Sequence, residues 1–327
     1  MLKNRLFFIF KLAVSLGLLA YLMYLIDWKR AIETVLHANP WFLIAAPVVS
    51  LLAIALTSQR WRLILADSQV KYPAWQSFRG AWLGLFYGSF LPGVLGGDVL
   101  RVGMCVQYTK CLAGIATAAI LLDRISGVVA VFGMLFSFYL FAPGTAAVLL
   151  TVDDTLLIAG LAGVGIGGLI AVLATRRLWA RWFSSDAKGI WGFISSMGKS
   201  LSDLKNQTLV SVVSIALLAQ FIETFSTFLI ARAIGIDQPF TVFWAVVPLT
   251  FLIVFLPISL GGLGVREGAM VFLLARFGVP AQEAITLSFL IYLNRTLVGA
   301  LGGGLQLVET FVKKSSPPPV EANSSSK

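Results

Sequence analysis

Charge is scarce in this chain. Only 12% of its residues are Asp, Glu, Lys or Arg, against 58% hydrophobic residues and a mean hydropathy of +0.89, a balance outside the range of soluble globules. Cysteine and histidine are scarcer still. Cys105 and Cys111 are the only cysteines and His37 the only histidine, and the cysteine spacing fits neither a zinc site nor a disulfide framework. His37 reads as a headgroup-level loop residue. Also missing are Gly-x-Ser-x-Gly, a Gly-rich phosphate loop before Lys-Ser or Lys-Thr, and a soluble stretch large enough for an active site. These absences point away from an enzyme, from an ATP-driven pump, and from any metal or cofactor.

The hydrophobic residues fall in runs. Lys3 and Arg5 precede an apolar run over 6–26 with no small-residue cleavage site behind it, which reads as an uncleaved first span. Further runs at 41–58, 112–141, 156–174, 209–230 and 281–308 complete six expected crossings of an all-α polytopic membrane protein. The net charge of +10 does not point to nucleic acid, because the basic residues sit in loops between apolar spans. One such loop carries Arg60, Arg62, Lys71 and Arg79. Another, 175–208, holds Trp179, Trp182 and Trp191 among basic residues, as a segment lying on anionic headgroups or docking a partner would. The tail, 310–327, is expected to be disordered.

One stretch occurs twice. Leu91-Pro92 with Leu95-Gly96-Gly97 and Arg101 recurs as Leu256-Pro257 with Leu260-Gly261-Gly262 and Arg266, at a constant offset of 165 residues. The helix entering the first copy, with Gly80, Gly84 and Gly88 in a small-residue stripe suited to close helix packing, is too short to cross the ~30 Å hydrocarbon core. Proline and glycine then break it. Two helical hairpins, 79–110 and 240–277, are therefore expected to re-enter the membrane. Placing both termini in the cytoplasm leaves only Lys29, Arg30 and Arg232 in outer loops. The two hairpins then enter from opposite sides. The halves 1–141 and 142–309 become an inverted repeat of the kind that houses midplane binding sites. In a competing arrangement every hairpin arm crosses fully, giving ten helices.

The candidate site follows from the repeat. The N–H groups of Gly96, Gly97, Gly261 and Gly262 begin the returning arms and favour an anion. Arg101 and Arg266 lie about a turn further on, and Arg124 and Arg295 on the following spans. An arginine at the membrane centre costs about 2.5–3.5 kcal/mol even on a lenient scale, so each needs a partner. Asp98 and Asp123 form a closed set with Arg101 and Arg124, or the same residues bind substrate. In the second copy Asn294 stands where the first has Asp123, leaving Arg266 and Arg295 against Glu267, so this copy is expected to keep the positive potential suited to a phosphate. Glu223, inside the 209–230 span, is either a proton-coupling carboxylate or an interhelical hydrogen-bond partner. Lys11 reads as snorkelling to the headgroups.

On the residues Gly88-Ser-Phe-Leu-Pro-Gly-Val-Leu-Gly-Gly-Asp-Val-Leu-Arg101, Leu122-Asp-Arg124 and Pro257-Ile-Ser-Leu-Gly-Gly-Leu-Gly-Val-Arg-Glu-Gly268, the chain resembles the flippase-like family of the transmembrane region of lysylphosphatidylglycerol synthase. The resemblance runs from the first span to about residue 310. It implies movement of a phospholipid or a polyprenyl-phosphate-linked lipid between leaflets of the inner (plasma) membrane, without the aminoacyl-transferring domain of the synthase. Two other expectations stand beside it. One is a proton-coupled small-solute transporter, and the other a non-catalytic membrane subunit serving a glycosyltransferase or lipid-modifying enzyme.

Overall fold

The computed structural model describes residues 28–90, 96–149, 192, 199–200, 203–255 and 264–315. The expected spans 6–26 and 156–174, the hairpin tips with Gly261 and Gly262, Lys11, and most of 175–208 lie outside them. Among the described residues every element is a helix and none is a strand: α1 (Trp28–Leu36), α2 (Pro40–Asp67), α3 (Ala74–Phe90), α4 (Gly96–Thr109), α5 (Ala113–Phe141), α6 (Pro143–Leu149), α7 (Asn206–Ala233), α8 (Phe240–Phe255), α9 (Val265–Ala275) and α10 (Ala281–Ser315). Four of them, α2, α5, α7 and α10 as far as Gln306, are long and apolar enough to cross a membrane.

The boundaries differ from the expected ones where charge was read as loop. Helix α2 starts where it should, with Pro40 at its first position and the Asn39 side chain accepting the Trp41 N–H at 3.0 Å. It does not stop at Ser58 but runs to Asp67, carrying Arg60 and Arg62 inside it. Arg60 is buried there because a carboxylate on another helix neutralises it. Helix α3 likewise begins at Ala74, placing Arg79 within a helix. The expected loop after the first span contains α1, with exposed Ile32 and Leu36. Helix α10 continues to Ser315, so residues 310–315, expected in the disordered tail, are helical. No Pro or Gly interrupts that stretch before Pro317, and extending a formed helix is cheaper than starting one.

The packing repeats itself. Helices α2, α3, α4 and α5 of the first half correspond to α7, α8, α9 and α10 of the second. Helix α2 packs on α3 as α7 packs on α8, α3 on α4 as α8 on α9, and α4 on α5 as α9 on α10. Between the halves, α3 meets α10 as α8 meets α5, while α2 and α7 pack on each other. The sequence duplication therefore has a spatial counterpart extending beyond the glycine motif.

Small residues set the closest approaches. A Cβ on Gly97 would lie 2.2 Å from the Gly84 carbonyl oxygen, so the start of α4 rests directly on the backbone of α3. On the other side of α3, Trp82 donates its indole N–H to Val298 of α10 at 2.6 Å, and a Cβ on Gly302 would lie 2.8 Å from the Trp82 ring. Gly97→Val should therefore force α3 and α4 apart at a cost of about 1–3 kcal/mol. It should be read as a lower melting temperature of the detergent-solubilised protein, with Gly103→Ala, whose Cβ meets nothing within 4 Å, as the silent control.

Two apolar cores close the ends of the bundle. One joins Phe138, Ile230, Phe243, Leu274 and Leu287, and the other Trp61, Ile64, Leu65, Ile120 and Val212. Polar side chains lie between them. Asn294 Nδ2 donates to Ser50 Oγ at 3.0 Å, Ser50 pairs with Ser226 at 3.0 Å, and Ser226 donates to the Ala46 carbonyl at 3.0 Å. This chain ties α10, α2 and α7 together inside the bundle, where such groups need partners within the protein. Outward-facing Ile44, Val48, Leu52, Leu297 and Leu301 remain exposed, as they do on a surface made for lipid.

Candidate functional site

In the first half the charges form a closed cluster. Arg60 of α2 donates Nε to Asp123 of α5 at 2.5 Å, and the other Asp123 oxygen lies 3.4 Å from Arg101 Nη1. Arg101 also lies 3.6 Å from Asp98 on its own helix. Arg124 donates Nε to Asp98 at 2.6 Å, and its Nη2 contacts the same oxygen. Asp98 thus takes Arg124 from across the sequence, while Asp123 faces away from its neighbour Arg124. Adjacent helix residues point about 100° apart, so neighbours in sequence do not meet. Arg101 stacks over Trp61, with Cζ 4.7 Å from the ring centroid.

In the second half Glu267 is committed twice. Its Oε2 accepts the Gly264 N–H at 2.6 Å, capping α9, and its Oε1 accepts Arg266 Nη2 at 2.5 Å. Arg266 also donates Nε to Ser288 at 3.2 Å and lies over Tyr292 at 5.2 Å. Arg266 is therefore held by its own helix and by α10.

Arg295 is different. Among the described residues it makes no hydrogen bond and no ion pair, and its side chain is exposed. At about 100° per residue, its position on α10 lies opposite the exposed stripe Phe289, Leu293, Leu297 and Leu301 and amid the buried Ser288, Val298 and Gly302. Glu223 repeats the pattern on α7. It is exposed, yet it lies opposite Val210, Leu218, Phe221 and Phe225, on the face whose other members Ala216, Ala219, Ser226 and Ile230 are buried. Glu223 and Arg295 act on each other electrostatically, and Arg295 also feels Arg266, Tyr292 and Arg124.

The sequence readings stand as follows. Gly96 and Gly97 open α4, and Gly97 serves close packing on α3. Arg101, Arg124, Asp98 and Asp123 meet as a group, as do Arg266 and Glu267. Asn294 ties helices with its amide nitrogen, while its buried Oδ1 has no hydrogen-bond partner among the described residues. With Arg60 included, the first cluster joins three guanidiniums to two carboxylates, while in the second Arg266 is paired with Glu267 and Arg295 makes no ion pair among the described residues. Arg60 was missed because nothing local marks it, its partner lying 63 residues away. The two halves also carry opposite polarities at matching contacts. Arginine on α2 faces aspartate on α5, whereas glutamate on α7 faces arginine on α10.

Comparison with known proteins gives the following. The family model described as Lysylphosphatidylglycerol synthase TM region matches residues 8–303. A UPF0104 membrane protein of Methanothermobacter thermautotrophicus is 26% identical, over 88% of this chain and 89% of that protein. No solved structure matches it significantly.

Proposed function

Since this chain belongs to the family of the lysylphosphatidylglycerol synthase TM region, we propose that it is a flippase or scramblase moving a phospholipid or a polyprenyl-phosphate-linked lipid between the leaflets of the cell inner membrane. The observation that carries this reading is Arg295, an exposed guanidinium on the face of α10 opposite its lipid-exposed stripe, with no hydrogen bond or ion pair among the described residues. An unpaired cation at membrane depth is costly, and a phosphate group matches the guanidinium fork in shape and charge.

On this reading the short pairs α3–α4 and α8–α9 are re-entrant hairpins from opposite faces. Six helices cross, both termini are cytoplasmic, and the halves expose the lipid site alternately. The repeated packing of α2–α5 and α7–α10 supports it. The protein performs no chemistry on the lipid. A glycosyltransferase or lipid-modifying enzyme that makes or consumes the lipid is the natural partner.

The test is reconstitution into liposomes carrying trace lipids labelled on the acyl or prenyl chain. Transbilayer movement faster than in protein-free vesicles is expected. Movement no faster for any lipid, together with solute uptake driven by a pH gradient, would replace this reading by the proton-coupled transporter.

A further inference from the structure

We infer that α1 is an interfacial helix whose partner is a lipid surface, the boundary between headgroups and acyl chains of the leaflet at which α2 begins and α7 ends. Positions three and four apart on a helix share a face, so Ile32, Val35 and Leu36 form one apolar face of α1, and all three are exposed. Glu33 and His37 lie off that face and are exposed as well. A helix of nine residues does not hold its shape in water by itself. A surface must cover its apolar face.

The chain fixes the level at which that face sits. Only His37, Ala38 and Asn39 separate α1 from α2, and Asn39 is held twice. Its N–H donates to the carbonyl of Ala233, the last residue of α7, at 2.8 Å, and its side chain caps α2. Helix α1 is thereby tied to the level where two helices long and apolar enough to cross a membrane have their ends. Trp41, 77% exposed, marks that level as the headgroup region, where amphipathic rings collect, and Ile44, Val48 and Leu52 run exposed down α2 from it. A short helix held there, apolar on one face and polar on the other, lies in the plane of the interface. A second copy of the chain is the poorer occupant, because three side chains fall far short of the ~800 Å² per partner of a stable interface.

The test places a nitroxide at Ile32→Cys, Leu36→Cys, Glu33→Cys or His37→Cys in the Cys111→Ser protein, whose remaining native thiol, Cys105, is buried. The labelled full chain is reconstituted into vesicles of phosphatidylethanolamine and phosphatidylglycerol. Collisions of each label with oxygen, which concentrates among the acyl chains, are compared with collisions with a water-soluble nickel chelate. The oxygen-to-nickel ratio should be several-fold higher at positions 32 and 36 than at 33 and 37, corresponding to a depth of about 5–10 Å for the apolar face. Adding Leu36→Glu should lift the helix and open the label at position 32 to nickel, while an unchanged melting temperature shows that the bundle is intact. Nickel reaching all four positions equally would overturn the inference, because the helix would then stand in water, as would an unchanged ratio at position 32 in Leu36→Glu. Protection of positions 32 and 36 from both reagents would overturn it by showing protein over the face, either another segment of the chain or a second copy. None of these outcomes depends on whether the protein moves lipid.

Discussion

Asp123→Ala is expected to lower the melting temperature of the solubilised protein on the order of 10 °C, the largest stability loss of any single charge removal among the described residues. Asp123 is 3% exposed and holds two guanidiniums from different helices, Arg60 of α2 at 2.5 Å and Arg101 of α4 at 3.4 Å. Without it Arg101 keeps only Asp98 at 3.6 Å, and Arg60 has no ion partner among the described residues. Breaking a buried pair by removing one partner costs about 3–5 kcal/mol, because a desolvated charge is left behind. That is a large share of a stability of roughly 5–15 kcal/mol. The check is a thermal unfolding series with Arg62→Ala as the comparison, since Arg62 lies on the same turn of α2 but is only half-buried. Equal melting temperatures for the two variants would show that the cluster does not hold α2, α4 and α5 together. Arg60→Met combined with Asp123→Asn should recover part of the loss, because it removes a charge from each side.

Arg295→Ala should do the reverse, stopping transport while sparing the fold. The side chain makes no hydrogen bond among the described residues, so its truncation breaks no contact there. Its loss removes the guanidinium proposed to hold the lipid phosphate. Truncating one member of a desolvated charge pair costs about 2–5 kcal/mol, so the rate of lipid movement should fall at least ~30-fold. Arg295→Lys should fall between, keeping the charge and losing the planar fork. Melting temperature and transbilayer rate measured on the same preparations separate the effects. A normal rate in Arg295→Ala would end the assignment of Arg295 to the headgroup. Arg266→Ala should lose both readouts, because Arg266 also joins Glu267 and Ser288 and so braces α9 against α10.

These contrasts follow from differences the linear order could not reveal. Arg101, Arg124, Arg266 and Arg295 occupy matching places in the repeat, and the sequence distinguishes only the two copies, leaving Arg266 and Arg295 as the less balanced pair. Three are closed and one is open. Asp98 and Arg101, three residues apart, read as a pair and lie 3.6 Å apart, but the shorter contact of Asp98 is to Arg124, twenty-six residues on. Asp123 and Arg124 are neighbours in sequence and point to different partners, since successive helix residues do not share a face. Arg60 sat beyond an apolar run and looked like loop charge, because hydropathy registers the loss of apolar character without registering a buried counter-ion.

What the sequence determined by itself is the helical membrane class, the family, and the duplication that puts an arginine after each Gly-Gly break. Composition and periodicity are local sums, and they survive without knowledge of neighbours. The tertiary structure decided which charges cancel and which stay open. Electrostatic partnership depends on distances between helices, and the helices that bring Asp123 to Arg60 are far apart in the chain. It closed Arg101, Arg124 and Arg266 on carboxylates and left Arg295 without an ion pair among the described residues. Helix α10 carries Arg295 on the face opposite its lipid-exposed stripe, and α7 does the same with Glu223. Only the packing of the helices decides which of these charges meet a counter-ion.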